Sequence, residues 1–194
     1  MRALLVAAAA ALALTAAAAA PAATRAACPA AWAQGWQKLA NKVEAPVYCP
    51  TWMPNPLDAK FGGQYQDIYS IGKDRSFLVS FLEHGDVGSG DVHVNFRGYP
   101  ESTKIPRCPG QVKQSPPIPC FSDPVATMKA NGIKATVYQV NQGADQWHIL
   151  LAWRYNRALY TVSEHVIPPY RFSSQVKRNL ARLLNGLVLV RPQG

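Results

Sequence analysis

The chain has 194 residues, of which 48% are hydrophobic and 16% charged, with 20 Lys and Arg against 11 Asp and Glu for a formal net charge of +9. That length gives one domain with a real core and no comfortable room for two. Sixteen prolines, 13 glycines, 5 tryptophans and 8 tyrosines suit a strand-rich, turn-rich extracytoplasmic domain.

The chain opens on Met1 and Arg2, runs through alanine and leucine from Ala3 to Ala20, and reaches small residues before Cys28. This pattern predicts a secretory signal peptide over residues 1–26, with cleavage near Ala20-Pro21-Ala22 or Thr24-Arg25-Ala26, and one secreted domain over residues 27–194. Arg25 stands where a lipoprotein signal needs an aliphatic residue, so Cys28 is not expected to be acylated. No later apolar run is long enough to cross a bilayer. Four cysteines in an exported chain read as two disulfides, and spacing favours Cys28 with Cys49 and Cys108 with Cys120.

Trp32, Trp36, Leu39 and Val43 fall on one helical face, predicting a helix over residues 29–43 that must stop before Pro46. Strands are expected over residues 64–72 and 76–84, the second apolar on both faces and so central in the sheet. Residues 91–97 alternate, with Val92, Val94 and Phe96 inward and Asp91, His93, Asn95 and Arg97 outward on a wet face. Residues 100–124 are proline-rich and aperiodic, a connector closed by the Cys108–Cys120 bridge. Three more strands are expected over residues 133–140, 147–155 and 158–166. A two-residue turn at Asn156-Arg157 puts His148 opposite His165 and Trp147, Ile149, Leu151 and Trp153 on the core face. A closing helix over residues 173–187 carries Val176, Leu180, Leu183 and Leu187 in one stripe, with Lys177, Arg178 and Arg182 facing solvent. The fold class is therefore α+β: a curved antiparallel sheet of about six strands with an N-terminal and a C-terminal helix packed on it.

No catalytic signature is present: Gly88-Ser89-Gly90 lacks the wider nucleophile frame, and neither a zinc-protease motif nor a phosphate loop occurs. Two constellations remain. Glu83, His84, Asp86, Asp91 and His93 gather at a hairpin tip, where they could hold a divalent cation but also suit an ordinary polar turn. His148 and His165 face each other without an evident third ligand and read as a solvated pair, so no metal or cofactor is assigned. The paired carboxylates a hydrolase needs would have to come from Glu44, Asp58, Asp67, Asp74, Glu83, Asp86, Asp91, Glu101, Asp123, Asp145 and Glu164.

The proline-spaced entry Pro46-Val47-Tyr48-Cys49-Pro50-Thr51-Trp52-Met53-Pro54, the strand opening Gly132-Ile133-Lys134-Ala135-Thr136-Val137-Tyr138, the hairpin from Trp153 to Tyr160 and the closing helix span roughly residues 46–190. In that order they resemble a bacterial family of exported or membrane-tethered domains without an assigned function. Its broader relatives are similar to the half-barrel of lipoprotein carriers and of periplasmic regulators of sigma-factor signalling. The resemblance implies binding or sensing in the bacterial cell envelope. The functional expectation is thus a secreted, non-enzymatic domain that binds an anionic envelope polymer, lipid headgroups or an envelope protein through Lys177, Arg178 and Arg182, with His148 and His165 as further candidate binding residues, and not nucleic acid. A hydrolase of a cell-wall polymer and a small metal-binding module are the alternatives.

Overall fold

The structure is a computed structural model, and it describes residues 27–55, 57, 71–82, 92–109, 115–140, 147–166 and 173–193. The leader, the hairpin tip with Glu83, His84, Asp86 and Asp91, and the strand expected over 64–72 up to its last two residues lie outside them. Helix α1 covers Ala30–Val43 and buries Trp32, Trp36, Leu39 and Val43, the four residues whose spacing predicted it. Strand β1, Val47–Pro50, follows at once, and the Cys28–Cys49 disulfide ties it to the start of the helix. Trp32 adds a second tie, donating its indole N–H to the Pro50 carbonyl at 2.9 Å.

The main sheet is antiparallel and six-stranded. It contains β2 (Phe77–Leu82) and β3 (His93–Tyr99), then, beyond the short pair β4 (Arg107–Cys108) and β5 (Ile118–Pro119), β6 (Pro124–Ala130), β7 (Ile133–Val140), β8 (His148–Tyr155) and β9 (Ala158–His165). Its spatial order is β2-β3-β9-β8-β7-β6, so β2 is outermost among the described strands and not central as expected. Its burial pattern is two-sided all the same, and on the inner side Trp32 of α1 covers Phe81. The β8–β9 register follows the predicted turn, with His148 opposite His165 and Trp153 opposite Tyr160.

Strands β4, β5 and β6 and a last strand after the closing helix were not expected. Asn131 and Gly132, both at positive φ (50° and 73°), form the two-residue turn that joins β6 to β7. The Asn-Gly pair is a strong hairpin signal that the preceding prolines obscure. The closing helix α2, Ser173–Asn185, is shorter than predicted, and Leu187 begins strand β10, Leu187–Val190, which pairs with β1. Gly186 ends the helix, and its carbonyl accepts the Thr51 hydroxyl at 2.8 Å.

The inner face of the sheet is covered by both helices and the β1–β10 ribbon. Trp32 meets Phe81 edge-on at 5.5 Å and Trp36 meets Phe96 at 5.8 Å, which seats α1 over β2 and β3. Tyr48 of the ribbon packs edge-on against Trp153 and Tyr160 at 5.2 and 5.0 Å. Trp147 is the exception to the predicted core face. It sits at φ 63° before the strand begins, outside the alternation, and is 42% exposed.

The outer face is not wet. The Cys108–Cys120 bridge closes the proline-rich connector, and Phe121 packs with Val140, Leu150, Ala152 and Leu159 into a second apolar cluster. Asn95, which alternation assigned to solvent, is buried, and so are Thr161 and Ser163 on the same face.

Candidate metal centre

Register places the outer-face residues in rows across the sheet. Leu82 pairs with His93, His165 with His148, and His148 with Val140. The ladder from Val94 opposite Glu164 puts His93 beside His165. One row therefore reads Leu82, His93, His165, His148, Val140. The next reads Ser80, Asn95, Ser163, Leu150, Tyr138.

The three imidazoles do more than share a row. His93 and His148 stand on strands that flank β9, about 9.5 Å apart at two strand spacings. Their ring centroids are nevertheless only 4.6 Å apart, so both rings lean over β9 towards each other. His165 completes a near-equilateral triangle, stacked on His93 at 4.7 Å and edge-on to His148 at 5.0 Å. Each ring offers a nitrogen that lies within 4.8 Å of the other two. His93 and His148 are buried and His165 is half-buried. Burial first, and then the neighbouring His93, hold His165 below the ordinary imidazole range, which favours the neutral form that binds metals.

The surroundings are polar towards the middle of the sheet and apolar at the sides. Ser80 donates to the Asn95 side-chain oxygen at 2.7 Å in the adjoining row, and both are buried. Glu164 neighbours His165 in sequence but points through the opposite face, where it accepts a hydrogen bond from Asn179 of α2 at 2.7 Å. Burial pushes its carboxyl up to about 8. Among the described residues the triangle thus contains imidazoles alone.

The pair His148 and His165, expected to be solvated, is thus part of a largely buried trio. The third ligand missing from the sequence reading is His93, which that reading grouped with the hairpin tip. The three cations of α2 lie where expected. Lys177, Arg178 and Arg182 are exposed, and the Arg182 guanidinium lies 4.0 Å over the Trp52 ring. Of the carboxylates a hydrolase would need, Glu44 and Glu101 both bind the Arg75 guanidinium at the surface. Asp74 accepts from the hydroxyl and backbone N–H of Ser76, which lowers its carboxyl.

No family model, curated protein or solved structure matches the chain. Functional argument therefore rests on these residues.

Proposed function

We propose that the protein is an exported envelope domain that binds one divalent transition ion, such as zinc or copper(II), through His93, His148 and His165. The observation that carries this reading is the convergence of three imidazoles from three adjacent strands onto one point. A tetrahedral ion bound at 2.0–2.1 Å needs its nitrogens about 3.4 Å apart. The ligand nitrogens lie within 4.8 Å of one another, so the remaining gap is for side-chain rotation to close. Imidazole donors suit zinc, copper and nickel. All four cysteines are held in disulfides, so no thiolate competes and soft monovalent ions are disfavoured. The predicted leader and the two bridges support an oxidising, extracytoplasmic setting.

Calorimetric titration of chelator-stripped protein with zinc tests this reading. One ion per chain is expected, with at least about tenfold weaker binding in His93→Gln and in His165→Gln. Circular dichroism of each variant checks that the fold survives. No binding by the wild type, or equal affinity in folded variants, would reject the site.

A second reading is favoured by the exposed Lys177 and Arg178 on α2. Association of this helix with acidic polymer or anionic vesicles should fade as salt shortens the Debye length from about 10 Å to about 3 Å. Replacing Lys177, Arg178 and Arg182 together by Gln should weaken it without unfolding the protein.

A further inference from the structure

Strand β10 pairs with β1 alone, and the pattern of that pairing decides which groups its other edge presents. Continuing the ribbon's register puts Thr51 opposite Gly186, and the Thr51 N–H donates to the Gly186 carbonyl at 3.2 Å. The hydrogen-bonded pairs further along are therefore Cys49 with Val188 and Val47 with Val190. Leu187 and Leu189, at the alternate positions, direct their N–H and C=O groups away from β1. Two contacts agree with this. Pro50, which has no N–H to give, falls opposite Leu187, and the Leu187 carbonyl accepts the Asn131 side chain at 2.7 Å on the far side. Leu189 comes next along that edge, and among the described residues none bonds its N–H or C=O.

Beside this edge lies a cleft of about 490 Å³, walled by the ribbon, the Asn131-Gly132 turn and the end of β8. That volume is within the roughly 300–1,000 Å³ of ligand pockets. Ile133, Leu187 and Leu189 supply apolar wall, Tyr48 and Tyr155 supply aromatic wall, and Arg191 is the one charged side chain. The Arg191 guanidinium donates to the Tyr155 hydroxyl at 3.1 Å, and the Arg191 carbonyl accepts the Gln37 side chain at 2.9 Å, so the residue is held at both ends. No acid lines the cleft, and every wall residue and its neighbours in sequence belong to the described part of the chain. Nothing lies within 4 Å of where a side chain on Gly132 would begin, so the cleft opens to solvent beside the turn.

We propose that this cleft binds the C-terminal end of an extended peptide whose last side chain is apolar. The outward N–H and C=O of Leu189 match the main chain of an added strand segment. The planar Arg191 guanidinium, with further N–H groups to offer, matches a terminal carboxylate in bidentate fashion. The apolar and aromatic walls match the last side chain. A small organic acid would use the guanidinium and the walls but leave the Leu189 edge unmatched, which is why a peptide is preferred. The site is separate from the three histidines and uses no metal.

The test uses the full mature protein and alanyl-valyl-leucine carrying a fluorophore at its N-terminus, followed by fluorescence polarisation. Saturable binding is expected, weakened about tenfold when the peptide ends in an amide, the size of one hydrogen bond to a charged group. Arg191→Gln, at an exposed position and with the backbone contact to Gln37 kept, should bind acid and amide equally weakly. Bound peptide should also raise hydrogen-exchange protection at the Leu189 amide. Absence of saturable binding, or equal affinity of the wild type for acid and amide, would overturn the proposal whether or not the variant folds. Competition by isovalerate as strong as by unlabelled peptide, or a Leu189 amide left unprotected, would assign the cleft to a small organic acid and overturn the peptide reading.

Discussion

The two faces of the β8–β9 hairpin are built from the same alternating strands and are both buried, yet they are buried in different ways. The inner face presents Ile149, Leu151, Trp153, Tyr160 and Val162 to helices and an aromatic ribbon. Its one ionisable intruder, Glu164, accepts a hydrogen bond from Asn179. The outer face is split. Towards the turn, Leu150, Ala152 and Leu159 lie under a disulfide-closed connector that brings Phe121. Towards the other end, buried histidines and small polar residues take over. Apolar burial on one face is what folding requires. A patch of converging imidazoles on the other is a cost to folding that makes sense when something binds there.

The largest expected effect lies on the inner face. Trp153 is 4% exposed and holds Tyr48 edge-on, so Trp153→Ala should lower unfolding free energy by about 3–5 kcal/mol in urea. A loss below about 1 kcal/mol would invert the assignment of the faces. Opening the Cys108–Cys120 bridge by a double Cys→Ser change should cost about 3 kcal/mol by the chain-entropy argument. The loss should appear first as deprotection of Leu150 and Leu159 amides in hydrogen exchange, with inner-face residues following only on global unfolding. Simultaneous deprotection of both faces would mean that the connector is not a separate cover.

Glu164 sharpens the comparison through pH. Its folded-state carboxyl is raised by burial to about 8, so the native protein keeps a proton that the unfolded chain gives up earlier. Its contribution to the stability of the metal-free protein should therefore be full below the ordinary carboxylate range and be lost as pH rises through about 8. The fall should run from about pH 5 to about pH 8 and level off above it. Glu164→Gln should flatten that slope; an unchanged slope would assign it to other groups. The smallest effect belongs to the β6–β7 turn. Gly132→Ala, at φ 73°, should cost about 1 kcal/mol despite open space around its Cβ.

Much of the architecture is written in local patterns. The α1 stripe, both disulfides and the β8–β9 register follow from spacing within a few tens of residues. The Asn131-Gly132 turn was equally local and was obscured by prolines nearby. Strand β10 was hidden because Leu187 continues the helical stripe of α2, and only Gly186 marks the break. The histidine site is different in kind. His148 and His165 meet through a hairpin turn, but His93 reaches them because β3 pairs with β9, a choice of partner far along the chain that alternation cannot reveal. Alternation likewise assigns Asn95 to solvent, since it distinguishes faces and says nothing of what later covers them.

X-ray absorption at the zinc edge of the loaded protein tests the central claim most directly. The account predicts three imidazole nitrogens at 2.0–2.1 Å plus one further oxygen or nitrogen donor, with no sulfur in the shell. Fewer than three imidazoles per zinc, or an undiminished imidazole shell in His93→Gln, would contradict it.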